Sequence, residues 1–221
     1  MNHAKPFLKW AGGKRQLLPE IEKNLPEEIR NTKNIDLYIE PFVGGGGLFF
    51  HLVSNYNIKT SIINDINPDL MLTYKVIKLF PEELIKELKI LEKNFIKLDN
   101  VNRKIFYYDQ LRKPFNELIL NYDKVDKQSL VKKTSLLIAL NKTCFNGLFR
   151  QNSKGEFNVP VGRYKNPKIL DEENIRNCSL SLKNTEILCG SYDSVSVPKN
   201  TKALIYFDPP YKPLSTTSSF T

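Results

Sequence analysis

Histidine and cysteine are scarce in these 221 residues: His3 and His51, with Cys144, Cys178 and Cys189. Three scattered cysteines have neither metal-ligand spacing nor a disulfide framework, which argues against a stapled secreted domain and for a reduced, cytoplasmic setting. Two distant histidines make a histidine-based metal centre a poor expectation, and no metal ligands are assigned. No apolar run is long enough to cross a bilayer, and Met1-Asn2-His3-Ala4-Lys5-Pro6 lacks the apolar core of a signal peptide. Internal repeats and low-complexity tracts are lacking as well.

Basic residues outnumber acidic ones 33 to 24, giving a net charge of +9 and a pI near 9.3. That excess favours a polyanionic partner, nucleic acid ahead of an acidic membrane, although charge alone also fits a basic protein with no such partner. The length allows a substantial core and one domain with an insertion, or two small domains.

Four short apolar runs read as strands: Ile35 to Ile39, Ser61 to Ile63, Glu186 to Leu188, and Ala203 to Phe207. A helical segment separates the first two, as in parallel strands joined by crossovers, which predicts an α/β fold. An acid lies at or just past three of the strand ends: Glu40, Asp65 and Asp208. Ligands of open α/β sheets bind beyond the carboxyl ends of the strands, so these three acids mark the expected site. Pro68 to Leu140 reads as helical: Asn67-Pro68 can start a helix, and Leu84, Leu88, Leu91 and Phe95 recur on one face. The expected division is a sheet domain of residues 1–67 and 171–221, with a helical insertion of residues 68–170 as a separate lobe.

Pro41-Phe42-Val43-Gly44-Gly45-Gly46-Gly47 follows the first strand and precedes the helical Leu48 to Val53. Glycines at such a bend let backbone amides approach a ligand closely, and an acid about 20 residues on commonly binds ribose hydroxyls, the place Asp65 takes. The G-x-G-x-x-G pattern of nicotinamide sites is missing. A Walker loop fails too, because Leu8 stands where glycine is needed and Arg15 follows Lys14. S-adenosylmethionine, with ribose hydroxyls and no phosphate, fits best.

Asp208-Pro209-Pro210-Tyr211 closes the last strand with an acid, rigid carbonyls and an aromatic face, suited to a planar substrate presenting an amino group. The same four residues also read as a plain turn. Asn141 to Pro167 mixes basic residues with Phe145, Phe149, Phe157 and Tyr164, and Ser153-Lys154-Gly155 reads as a hairpin turn; a hairpin at about 145–165 would suit contact with DNA phosphates and base edges, and the same segment also reads as a solvated surface loop. Near the start, Pro6-Phe7-Leu8-Lys9-Trp10-Ala11-Gly12-Gly13-Lys14 sets the one tryptophan beside a Gly-Gly bend; Trp10 could equally pack on the core.

These segments together resemble the Dam-like (DpnM-like) DNA adenine-N6 methyltransferases. Pro6 to Lys14 is similar to that family's opening motif, Pro41 to Gly46 to its cofactor loop, and Asp208 to Tyr211 to its catalytic tetrapeptide. Asn146 to Arg150 with Gly155 to Tyr164 is similar to its target-recognition hairpin. The order matches, and the similarity runs from Pro6 to Phe220. It implies a Rossmann-like S-adenosylmethionine-dependent methyltransferase sheet with a helical target-recognition insertion. Catalysis would fall to Asp208, Pro209, Pro210 and Tyr211. Trp10, Lys14, Glu40, Phe42, Gly44, Gly46, Asp65 and Asp208 would hold the cofactor. Lys9, Asn146, Leu148, Arg150, Pro160 and Tyr164 would lie at double-stranded DNA, with methylation expected in GATC. Phe145 stands where the family often has tyrosine, keeping a stacking face and losing the hydroxyl.

Methylation of cytosine C5 needs a thiolate nucleophile, and none of the three cysteines sits in a suitable motif. Cytosine-N4 and protein-glutamine transfer stay open from the tetrapeptide alone, and the hairpin argues against both. The sequence stops at Thr221, soon after the tetrapeptide, so the sheet is expected to be incomplete, with the last strand at an edge. A complementing C-terminal fragment, or a DNA-binding piece that recognises its site without transferring methyl groups, are the expectations that follow.

Overall fold

A computed structural model describes residues 3–13, 16–119 and 126–209. Four parallel strands, β1 (Asn34–Glu40), β2 (Asn57–Ile63), β3 (Thr185–Ile187) and β4 (Ala203–Ile205), form a sheet in the order β3-β2-β1-β4. The α/β class and the parallel pairing expected from the sequence are therefore present. The chain moves outward from β1 to β2 to β3, then returns past β1 to β4. The strand order reverses between β1 and β4, which is where α/β sheets open a ligand crevice.

The central strand β1 buries Ile35, Leu37, Tyr38, Ile39 and Glu40, the near-continuous burial expected of a parallel strand covered on both faces. β2 begins four residues earlier than the apolar run suggested. Its first half, Asn57 to Thr60, pairs only with β1 and stays largely exposed, so no apolar pattern announces it. β4 is shorter than the run Ala203–Phe207 and half exposed, with Ile205 at 46% and Phe207 at 54% of full exposure. As an edge strand it has a neighbour on one side only among the described residues.

Two short helices, α1 (Leu18–Lys23) and α2 (Glu27–Thr32), precede β1. α3 (Gly47–Asn55) makes the β1–β2 crossover, starting from Gly46 in the left-handed region at φ 73°. After β2 come α4 (Pro68–Leu79) and α5 (Pro81–Ile96). Asn67 caps α4, its side-chain oxygen accepting from Leu70 N at 2.9 Å with Pro68 in the first turn. Leu84, Leu88, Leu91 and Phe95 are all buried, as their spacing predicts. α6 (Asn100–Phe106), a π-helical turn (Tyr107–Arg112) and α7 (Lys113–Glu117) form one uninterrupted stretch of helix. α8 (Lys127–Thr143) lies against α4 and α5, and α9 (Glu172–Ser181) leads into β3.

Side chains from the sheet, α3, α4, α5, α8, α9 and the hairpin meet in one apolar cluster, which includes Phe49, Tyr74, Leu88, Phe115 and Phe157. Within it Lys133 is neutralised locally. Its Nζ donates to Phe115 O at 2.7 Å, sits 3.8 Å from the Phe115 ring centre and pairs with Asp69 at 3.8 Å. No described helix is long and apolar enough to cross a membrane.

Candidate functional site

The strand ends gather the acids that the sequence marked. Glu40 ends β1 with its side chain 4% exposed, and Tyr38 Oη donates to its Oε2 at 2.8 Å. Burial pushes this carboxyl up to about 8. The Asp208 charge adds to the rise, while the Tyr38 hydroxyl and the Phe49 amide at the start of α3 oppose it. Tyr206 N donates to Ile39 O at 2.9 Å, extending the β1–β4 pairing so that Tyr206 and Asp208 continue along the Glu40 side of the crevice.

Asp65, past the end of β2, accepts from Gly44 N on Oδ2 and from Asn67 N on Oδ1, both at 3.0 Å. Burial raises its pKa and the backbone donors lower it. Each oxygen has a further lone pair for a hydroxyl donor. Asn64 ties the neighbouring turns together, donating to Pro41 O at 3.1 Å and Gly190 O at 3.0 Å, while its buried Oδ1 has no partner among the described residues.

The glycine loop owes its composition to packing as well as to any ligand. A Cβ on Gly46 would collide with the Tyr74 hydroxyl and the Phe50 ring, and Tyr74 Oη donates to Gly44 O at 3.0 Å. A Cβ on Gly44 or Gly45 would press on Trp10 at 3.2 and 3.0 Å. Trp10 in turn stacks on Phe149 of the hairpin, ring centres 5.0 Å apart and planes 25° from parallel. It lies between the glycine loop and the hairpin, two segments more than a hundred residues apart in the chain.

The hairpin is narrow and largely exposed. Gln151 bridges Phe157, Asn158 N donates to Arg150 O at 3.1 Å, and Arg150 Nε donates to Asn158 Oδ1 at 2.8 Å. Asn146, Arg150 and Pro160 are exposed, and Leu148 and Tyr164 are half-buried. Lys9 Nζ lies 3.4 Å from Tyr164 Oη and 5.1 Å from its ring centre. Phe145, Asn146, Gly162, Arg163 and Tyr164 line a pocket of about 220 Å³. Buried Asn141 on α8 joins the opening segment to the hairpin: it exchanges bonds with Lys9 N and O, both at 2.9 Å, and donates to Gly147 O at 2.8 Å.

Of the expected site residues, Trp10, Glu40, Phe42, Gly44, Gly46, Asp65 and Asp208 meet around the β1, β2 and β4 ends. Lys9, Asn146, Leu148, Arg150, Pro160 and Tyr164 belong to the adjoining hairpin face. Pro209 is exposed just past Asp208, and Lys14, Pro210 and Tyr211 lie outside the described residues. Sequence reasoning missed Tyr192 and Phe207. Both rings pack edge-on to each other (5.6 Å), and with Phe42 (5.5 and 5.0 Å) they form an aromatic group at the strand ends. Tyr192 stands in a loop with no periodicity to flag it. Asn141 was missed as well, because one polar residue among the many on α8 gives no clue to its partners. The cysteines are not poised thiolates: burial pushes Cys144 up to about 11 and Cys178 up to about 12, and it raises exposed Cys189.

A parallel sheet with a glycine turn and acids at its carboxyl edge, carrying a basic hairpin across the crevice, has the form of an S-adenosylmethionine-dependent methyltransferase that acts on nucleic acid. Comparison with known proteins narrows this. Residues 10–221 match the model of the D12 class N6 adenine-specific DNA methyltransferases. The chain is 55% identical over 217 residues to the type II methyltransferase M.MjaIII of Methanocaldococcus jannaschii, covering 98% of this chain and 72% of that protein. Identity is 40% over 219 residues to the type II methyltransferase M1.LlaDCHI of Lactococcus lactis subsp. cremoris, 98% of this chain and 69% of the relative. It is 36% over 221 residues to a DNA adenine methylase of Serratia marcescens, all of this chain and 72% of the relative. The chain belongs to the D12 class N6 adenine-specific DNA methyltransferases and is a DNA adenine methyltransferase.

Proposed function

We propose that this enzyme methylates the N6 amine of an adenine swung out of duplex DNA, within GATC, as the modification arm of a restriction-modification system. The observation that supports the reading best is the Trp10 junction. The Cβ and the Cδ1 edge of Trp10 lie against the glycine loop and its ring stacks on Phe149 of the recognition hairpin, so donor and DNA would meet at one crevice. The names of the relatives, two type II methyltransferases and a DNA adenine methylase, agree with the biological role.

When bound, S-adenosylmethionine supplies a sulfonium-held methyl group. The residues present fit it. Asp65 is fixed by two backbone amides and keeps lone pairs for ribose hydroxyls. Phe42, Tyr192 and Phe207 offer ring faces for its adenine. The negative charge of Asp208 at the crevice favours its positive charge, and the packing of Gly44 and Gly46 sets the loop beneath it. Trp10 and Lys14 complete the set.

The amine of adenine is a poor nucleophile because its lone pair is delocalised into the ring. Asp208 and the Pro209 carbonyl would accept hydrogen bonds from its two N–H groups and let the nitrogen turn pyramidal, which localises that pair toward the methyl group; the methylated nitrogen would then shed one N–H proton by way of the Asp208 carboxylate to solvent. Positioning and electrostatics then carry an in-line transfer. Tyr211 stacks on the extruded base, which offsets the few kcal/mol that unstacking costs. Arg150, Asn146, Leu148 and Pro160 face base edges, Lys9 and Tyr164 face the backbone, and Phe145, 51% exposed, fills the gap left in the stack.

Transfer of a labelled methyl group to a GATC duplex, against duplexes changed at one base pair, tests the reading. Label on adenine N6 of GATC and at least about a hundredfold less on each altered duplex supports it. Equal labelling of all duplexes refutes it.

A further inference from the structure

Beside the apolar packing that includes the Phe115–Phe157 ring contact, side chains on the helices from α5 to α7 bond the backbone of the hairpin and of the chain beyond it. Asn116 on α7 pairs with Phe157 as a strand would: its Nδ2 donates to Phe157 O at 3.1 Å and its Oδ1 accepts from Phe157 N at 2.9 Å. Two residues on, buried Tyr107 Oη donates to Val159 O at 2.8 Å. Arg103 on α6 donates from Nη1 to Lys165 O at 2.7 Å. Its other nitrogens hold Phe95 O and Ile96 O at 3.3 and 3.1 Å, and its guanidinium lies over the Phe95 ring. Glu92 on α5 accepts from Ile169 N and Leu170 N at 2.9 and 3.0 Å through one oxygen. The four grips fall in reverse chain order, 116, 107, 103 and 92, against 157, 159, 165 and 169, so the two segments run antiparallel.

The π-helical turn bears on this arrangement. Tyr107 and Asn116 are nine residues apart, about two and a half turns of an α-helix at ~3.6 residues per turn. An unbroken α-helix would aim them to opposite sides. The wider turn over Tyr107–Arg112 takes up about one extra residue and brings Asn116 to within about a quarter-turn of the Tyr107 side. Such turns inside α-helices recur at functional sites. On the gripped strand Phe157 and Val159 are each 1% exposed and point into the core, which leaves Asn158 and Pro160 on the outer side.

We propose that Glu92, Arg103, Tyr107 and Asn116 form a backbone clamp that sets the register of residues 157–170, making them positioning residues for the choice of methylation site. This rests on the reading of the hairpin as the DNA-recognising element. The clamp bonds only peptide groups, so it holds the frame while leaving Arg150, Asn158, Pro160 and Tyr164 to meet the DNA. A slip of one residue would exchange the inner and outer side chains of the strand.

The test uses the whole enzyme on plasmid DNA, with every methylated adenine read by single-molecule sequencing. Tyr107→Phe removes one oxygen, Asn116→Ala removes both hydrogen bonds to the Phe157 peptide groups, and Arg103→Lys keeps the charge a phosphate would use while losing the fork. Each should raise the DNA KM about tenfold and raise methylation at sites one base pair away from the preferred one about tenfold, the scale of one lost bond to a buried peptide group. kcat at saturating DNA and S-adenosylmethionine affinity by calorimetry should stay within about twofold. Glu92→Gln keeps an acceptor oxygen and should stay near wild type. Lower thermal stability with unchanged site choice in Tyr107→Phe and Arg103→Lys overturns the clamp, even where Asn116→Ala fails to fold. Arg150→Ala serves as the control: if it too leaves site choice unchanged, the reading of the hairpin fails; if it alone relaxes site choice, only the clamp fails.

Discussion

Glu40→Gln isolates the electrostatics of the crevice. The native carboxyl is buried, with the Tyr38 hydroxyl and the Phe49 amide donating toward it and the Asp208 charge nearby, and its pKa stands at about 8 against an ordinary 4.5. Between those values the folded protein holds a proton that the unfolded chain has released. Stability from this group is therefore complete below the ordinary carboxylate pKa and is lost as pH rises through about 8. At ~1.4 kcal/mol per pKa unit the ceiling is about 5 kcal/mol, and some 3 kcal/mol of it should disappear between pH 5 and pH 8. Glutamine has the same shape, can still accept from Tyr38 and does not titrate. Urea unfolding of wild type and Glu40→Gln across this range, taken as a difference, cancels every other titrating group. The wild type should lose about 3 kcal/mol relative to the variant on going from pH 5 to pH 8. Parallel stability curves would refute the assignment of a protonated Glu40.

Gly46→Ala should destabilise the fold by about 2–4 kcal/mol, combining left-handed backbone strain with the collision against Tyr74, and thermal unfolding reads it directly; a change below about 0.5 kcal/mol counts against the packing role. Arg150→Ala should relax site choice at one base pair by about 1–3 kcal/mol, measured on duplexes altered at single positions. An unchanged preference would remove Arg150 from base reading.

The sheet was legible because its strands carry short apolar runs, most continuous in the buried β1, and acids at the strand ends marked the crevice edge. What escaped was set by long-range contact. The polar first half of β2 is held by backbone pairing to β1 and carries no apolar signal. Trp10 read as either a core or a cofactor residue. It is half-buried because it fills the space left by Gly44 and Gly45 and stacks on Phe149, a junction no local pattern encodes. Tyr192 and Asn141 share that property, since each matters through partners distant in the chain. The π turn at Tyr107–Arg112 was invisible for a different reason: its residues have ordinary helix propensity, and only packing selects the wider turn.

Asp208→Ala, assayed with labelled S-adenosylmethionine on a GATC duplex beside a DNA-binding measurement, addresses the chemistry most directly. Loss of transfer by at least about a thousandfold with DNA affinity within about threefold is the expected result, since in the proposed mechanism the acid acts on the amine and not on the duplex. Wild-type turnover in that variant would contradict the account.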